Sequence, residues 1–371
     1  MADGTKQTVT RREFVRDTAA VTAGISVGLT KVATAAEAEA VKKTRSYNPN
    51  MEYRRLGKTD LWVSAVCMGG HWKRIDKITR TESDFKGYRT HPEASAKEWQ
   101  AFHDNRYDIV GYCSEKGINL IDCAATTEPG VYAKTLKGRR DSMYLTATWG
   151  FAEFRDPEGR KADKMLKLFE EGLKKTGLEY IDLWRVMALE RGGRHSEAEA
   201  EEMAKALEIA KKRGMCRFTG FSTHDRPWAK HIMETYPDLI QVLCTPYTAD
   251  TKELPKDSLF AAARKLDVGI LGIKPFASNS LFRGDGSPDG PHAEEDDKRA
   301  RMAIRYILAN PAITAPIPGL ISRHQVDNVV HAIQERRELG AVEEAERREI
   351  SKEMWSNLPD HYQWLKNWEY V

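Results

Sequence analysis

Residues 118–125 read Ile-Asn-Leu-Ile-Asp-Cys-Ala-Ala, an apolar run carrying one carboxylate, Asp122, near its end. A short, near-continuous apolar run is how a strand reads when both its faces are buried, as in a parallel sheet. A carboxylate placed there must cap the next turn or meet a partner. Left unpaired, its burial costs on the order of several kcal/mol.

Seven more runs resemble it, at 62–70, 142–150, 180–189, 216–224, 239–247, 268–277 and 312–320. Helical patterns lie between them. Residues 163–177 put Met165, Leu166, Phe169 and Leu173 on one face and stop at Gly177. Residues 200–214 do the same with Met203 and Leu207 and end at Gly214, and Pro311 closes the pattern of Met302, Ile304, Ile307 and Leu308. Eight strand–helix units in one chain point to a closed α/β architecture, the (β/α)8 TIM barrel, over residues 51–340. No Gly-x-Gly-x-x-Gly follows the first strand, which argues against an open dinucleotide-binding sheet. Residues 51–61 read as an N-terminal hairpin able to plug the barrel floor. Residues 71–95 form a polar insertion after strand one, and 341–371 form a C-terminal helical, aromatic tail expected to pack on the barrel.

The 371 residues include 58 basic and 55 acidic side chains, for a net charge of +3. That leaves no basic field for nucleic acid. The five cysteines contain no Cys-x-x-Cys, and no two-His-plus-carboxylate spacing suggests a metal site. Residues 10–16, Thr-Arg-Arg-Glu-Phe-Val-Arg, precede a weakly apolar stretch from Thr18 to Leu29 and small residues at Ala33 and Ala35. This layout resembles a twin-arginine signal peptide over 1–35, cut near 35–40. It implies recognition by the twin-arginine export machinery and a periplasmic or extracellular location. Its apolar stretch is too short for a stable membrane insertion.

In a parallel barrel the C-terminal strand ends share one mouth. They bring forward Asp122, Trp149, Met187, Ser222, His224, Gln241, Lys274 and the loop at Gly319. Strand alternation places Arg185 on the inner face with Met187. An inward arginine needs a partner, and Asp122 is the acid at hand, so an Asp122–Arg185 ion pair is expected. His71, His224 and Glu128 are candidate acid–base groups at the same mouth. Trp72, Trp149, Met187 and His224 are expected to wall a pocket for a small-molecule substrate.

The chain resembles the aldo/keto reductases along roughly 51–340. The resemblance rests on LGKTDLWVSAVCMGG (56–70), GINLIDCA (117–124), LKGRRD (136–141), YIDLW (180–184), GFSTH (220–224), IKPFA (273–277) and PIPGL (316–320), followed by Asp327-Asn328, all in family order. It implies an NADP(H)-dependent carbonyl reductase, with NAD(H) open as the cofactor. In that family a tyrosine protonates the carbonyl oxygen, tuned by an Asp, a Lys and a His. Asp122 matches the Asp. The segment 125–131, where the tyrosine falls, has none; Trp149 stands for the Lys and Met187 for the His. Tyr132 is the nearest tyrosine. Ser222 and Gln241 match residues that hold the cofactor's carboxamide. Lys274 matches a residue beside its phosphates, and Gly319, Ser322, Arg323 and Asn328 match those that grip the adenosine phosphate. Two other readings stay open: a barrel that binds a nucleotide or ligand without turnover, and another reaction run by Glu128, His71 or Asp122.

Overall fold

The computed structural model describes residues 34–87, 90–150, 152–189, 195–253 and 258–366. The arginine pair and apolar stretch of the expected leader lie outside these.

β1 (Tyr53–Arg55) and β2 (Trp62–Ser64) form an antiparallel hairpin, with Tyr53 opposite Ser64. Its turn enters the barrel floor. Leu56, Leu61 and Val63 pack there against Leu120, Leu183, Val242 and Leu271. Gly57 has a positive φ of 51°, and a Cβ on it would stand 2.3 Å from the Gly269 nitrogen, so the close approach needs glycine.

Among the described residues, eight strands pair in chain order, all parallel: β3 (Met68–Gly69), β4 (Leu120–Cys123), β5 (Tyr144–Ala147), β6 (Ile181–Met187), β7 (Cys216–Ser222), β8 (Val242–Pro246), β9 (Gly269–Ile273) and β10 (Ile313–Pro316). The Cys67 N–H donates to the Pro316 carbonyl at 3.0 Å and the Gly69 N–H to that of Pro318 at 2.7 Å, which joins the first strand to the last. The fold is the expected (β/α)8 barrel. One boundary differs. The run 62–70 is two strands, because Ser64 ends the hairpin and only Met68–Gly69 reach the barrel.

The helices are α1 (Ala35–Lys42), α2 (Ile75–Thr79), α3 (Ala96–Glu115), α4 (Glu128–Thr135), α5 (Ala162–Thr176), α6 (Glu197–Lys212), α7 (Arg226–Thr235), α8 (Leu259–Leu266), α9 (Ala293–Ala309), α10 (Arg323–Gln334) and α11 (Ala341–Ser356). Met165, Phe169, Met203, Leu207, Ile304 and Ile307 are buried between the helices and the sheet. Ile350 and Met354 of α11 pack on Met302 and Ala303 of α9. A 3-10 segment, Asp360–Lys366, then carries the tail across the C-terminal mouth. No helix among the described residues is long and apolar enough to cross a membrane.

Candidate active site

Alternation along β6 sets the centre of the site. Leu183 joins the inner cluster while Trp184 and Val186 face the helices, so Arg185 and Met187 point inward. The Arg185 guanidinium grips Asp122 with two bonds, Nε to Oδ1 at 2.5 Å and Nη2 to Oδ2 at 2.8 Å. It also donates to the Cys123 carbonyl and the Ser222 hydroxyl, both at 3.3 Å. Both charged groups are 2% exposed. Burial pulls the Arg185 pKa down, but the Asp122 charge overcomes it and holds the guanidinium above the ordinary arginine range. The lone acid of the quoted strand thus has its partner.

This pair opens onto a cavity of about 540 Å³. Met187, Ser222, His224, Lys274, Gly319, Ser322 and Asn328 also line it, as does His71. Asn328 is fixed by Arg301 Nη1, which donates to its Oδ1 at 2.7 Å, and by its own Nδ2, which donates to the Asp297 carbonyl at 3.1 Å. Glu128 is fully buried behind His71, and its Oε1 meets the His71 Nδ1.

Four side chains expected at the cavity stand elsewhere. Trp72 is buried against Phe102, with ring centroids 4.9 Å apart, and against Tyr132 at 6.1 Å. The insertion folds back on α3 and takes the indole with it. Trp149 turns outward onto Phe169 at 5.7 Å, into a notch that a Cβ on Gly172 would close to 2.5 Å. Gln241 precedes β8 at the floor end, where its Oε1 accepts from Lys211 Nζ at 2.9 Å and the Thr219 N–H at 3.3 Å. Arg323 lies on the surface, bonded to the Asp108 carboxylate, with Nε to Oδ2 at 3.0 Å.

Thr127, five residues after Asp122, gives its hydroxyl to the Gly87 carbonyl at 2.6 Å. Tyr132 is buried on α4 and donates to the Gly70 carbonyl at 3.2 Å; burial pushes its pKa up. A buried carboxylate ties the ends of β5 and β6 together. Glu153 accepts from the Trp184 indole at 2.6 Å, the Met187 N–H at 3.0 Å, the Trp149 N–H at 3.2 Å and the Thr148 hydroxyl. Burial raises its pKa against those bonds.

The tail adds groups that local sequence reading does not place. Tyr362 lines the cavity beneath two ammonium groups, Lys274 at 5.0 Å and Lys73 at 5.5 Å from its ring centroid. Trp364 stacks on His224 at 4.3 Å. Desolvation lowers the Lys73 pKa; Tyr362 opposes the shift, and Lys274 and Arg74 add to it. The density of aromatics in the tail was the available signal, but not its destination. Among the described residues, no group of three His, Cys, Asp or Glu side chains gathers to hold a metal ion.

The fold has known counterparts. Residues 94–347 match the model of the aldo/keto reductase family. The chain belongs to that family. It is 25% identical over 314 residues to the L-galactose dehydrogenase of Arabidopsis thaliana, covering 79% of this chain and 92% of that protein. It is 22% identical to YrpG, an uncharacterized oxidoreductase of Bacillus subtilis (strain 168), over 76% of this chain and 91% of that one. Among solved structures, the holo form of an aldo-keto reductase from Bacillus halodurans superposes with a TM-score of 0.56 at 21% identity, covering 84% of this chain and 99% of that one. At that identity the likeness speaks for the fold.

The residues present fit a nicotinamide dinucleotide, the cofactor class of this family. The cavity is lined by a strand-end hydroxyl (Ser222), a lysine (Lys274) and the first turn of α10 through Ser322 and Gln325. A helix N-terminus and a cation suit phosphate. Gly319 is stripped to backbone there, since its Cβ would meet the His71 carbonyl at 2.9 Å.

Proposed function

We propose that this chain is an NADP(H)-dependent oxidoreductase acting on a small carbonyl or alcohol substrate, with proton transfer moved away from the family tyrosine. The observation that carries the reading is the shared cavity, which joins the Asp122–Arg185 pair to Ser222, Lys274, Ser322 and Asn328. Ser222, Lys274, Gly319, Ser322 and Asn328 would hold the dinucleotide, and the nicotinamide would supply or take a hydride. The Arg185 guanidinium, locked on Asp122, keeps a fixed positive charge beside Ser222 and orients its hydroxyl. Tyr362 and Trp364 narrow the mouth and keep water from the reacting face. The leader suggests export through the twin-arginine route, which carries folded proteins and so suits a chain loaded with cofactor before it leaves.

A second reading, a barrel that binds a nucleotide without turnover, draws on Thr127, Trp149 and Met187 at the three family positions. The test is NADPH consumption by the purified chain across a panel of aldehydes, ketones and quinones. The oxidoreductase reading expects saturable consumption with at least one class. Binding of NADPH with no consumption across the panel would favour the second reading.

A further inference from the structure

His71 follows β3, and Glu128 opens α4. The Glu128 carboxylate is 0% exposed. Its Oε2 accepts the N–H groups of Ala124 at 2.6 Å and Ala125 at 3.1 Å. That alone serves the turn into the helix. Its Oε1 is left for His71 Nδ1. The cradle is shaped to the carboxylate. A Cβ on Gly70 would stand 2.5 Å from Oε2, and one on Gly87 would stand 2.5 Å from Oε1. Thr127 fastens the Gly87 wall with its N–H at 3.0 Å and its hydroxyl at 2.6 Å.

As a carboxylate Glu128 has no hydrogen to give, so in that form the hydrogen of the Oε1 contact sits on His71 Nδ1. The opposite nitrogen, Nε2, is then the exchangeable site of the ring. The His71 side chain is 51% exposed and lines the same cavity as Asp122, Arg185 and Ser222. A buried carboxylate that fixes an imidazole tautomer at the edge of a cavity is the arrangement of an acid–base histidine. A histidine kept for packing would bury its ring; this one does not.

We infer that His71 is the proton donor and acceptor of this cavity, positioned by Glu128, and stands in for the missing tyrosine. The assignment rests on the oxidoreductase reading. In the reducing direction the carbonyl carbon gains a hydride from the reduced nicotinamide, which ends oxidised. The C=O π pair moves onto oxygen. The Nε2–H bond of the His71 imidazolium breaks, and its proton goes to that oxygen. The ring ends neutral with its Nδ1–H still on Glu128, and solvent returns a proton to Nε2. Alcohol oxidation runs the same transfers in reverse.

The test has two arms. In the ligand-free protein, 15N NMR of the imidazoles should show His71 as the Nδ1–H tautomer in its neutral form. Glu128→Gln should lose that signature and Glu128→Asp should keep part of it. A His71 that is mainly the Nε2–H tautomer in the wild type would overturn the assignment. In the second arm, NADPH oxidation is followed with 4-nitrobenzaldehyde, or with whichever carbonyl the wild type consumes fastest. His71→Ala should lower kcat by about 10²–10⁴-fold, and added imidazole should restore part of it in proportion to its concentration. Glu128→Gln should lower kcat by about 10–100-fold with little change in KM. Full turnover in His71→Ala, or a loss that imidazole does not repair, overturns the relay and leaves the oxidoreductase reading standing. So does a collapse in Tyr362→Phe beside an unaffected His71→Ala. A wild type that consumes no NADPH with any carbonyl fails the underlying reading instead.

Discussion

Two buried aspartates, one at each end of the barrel wall, solve the same problem in different ways. Asp182, in the second position of β6, is 1% exposed and accepts from Arg140 at 2.7 Å, Arg217 at 2.9 Å, Arg45 at 3.2 Å and the Leu145 N–H at 2.9 Å. Asp122, at the cavity end, relies on one arginine. The partners differ more than the acids do. The side chains of Arg45, Arg140 and Arg217 are 15%, 21% and 42% exposed, whereas that of Arg185 is 2% exposed. The cations at the floor can turn to water if their acid is lost, and Arg185 cannot. A charge that cannot be rehydrated is held for the site, and one that can is held for the scaffold.

Breaking the two sites separates them. Arg185→Met strands the Asp122 charge and should cost about 3–5 kcal/mol of stability, read by urea unfolding, together with NADPH-dependent turnover. Adding Asp122→Leu should recover most of that stability and none of the turnover, because an apolar pair fills the space without the charge. Asp182→Ala should cost less, about 2–3 kcal/mol, since its arginines resolvate. The molecules that stay folded should keep full turnover. A larger loss at Asp182 than at Arg185 would reverse the comparison. The smallest effect belongs to Arg323. It is 57% exposed in a pair with Asp108, which is 45% exposed. Arg323→Ala should change stability by less than about 1 kcal/mol and leave NADPH affinity within about twofold. A tenfold weaker NADPH affinity would instead mean that the guanidinium leaves Asp108 for a phosphate.

Much of this was legible in the chain. Runs apolar on both faces can only be inner strands of a layered sheet, so eight of them imply the barrel. Period two along β6 was enough to pair Arg185 with Asp122 across two strands. The failures share a cause. Alternation fixes a side chain's face only inside a strand, and Trp72 and Trp149 stand just beyond one, where the chain bends and the indoles follow the nearest apolar wall. Gln241 falls one residue before β8 starts, at the floor rather than the mouth. Glu153 reaches the strand ends through a loop, and Tyr362 reaches the cavity through the tail. No local pattern encodes such contacts, and they appear only once the barrel has closed.

Every role proposed for the cavity requires that it bind a dinucleotide. Isothermal calorimetry of the purified chain with NADPH measures this directly. Saturable 1:1 binding with Kd below about 100 μM is the expected result. No saturable heat up to about 1 mM NADPH or NADH would contradict it.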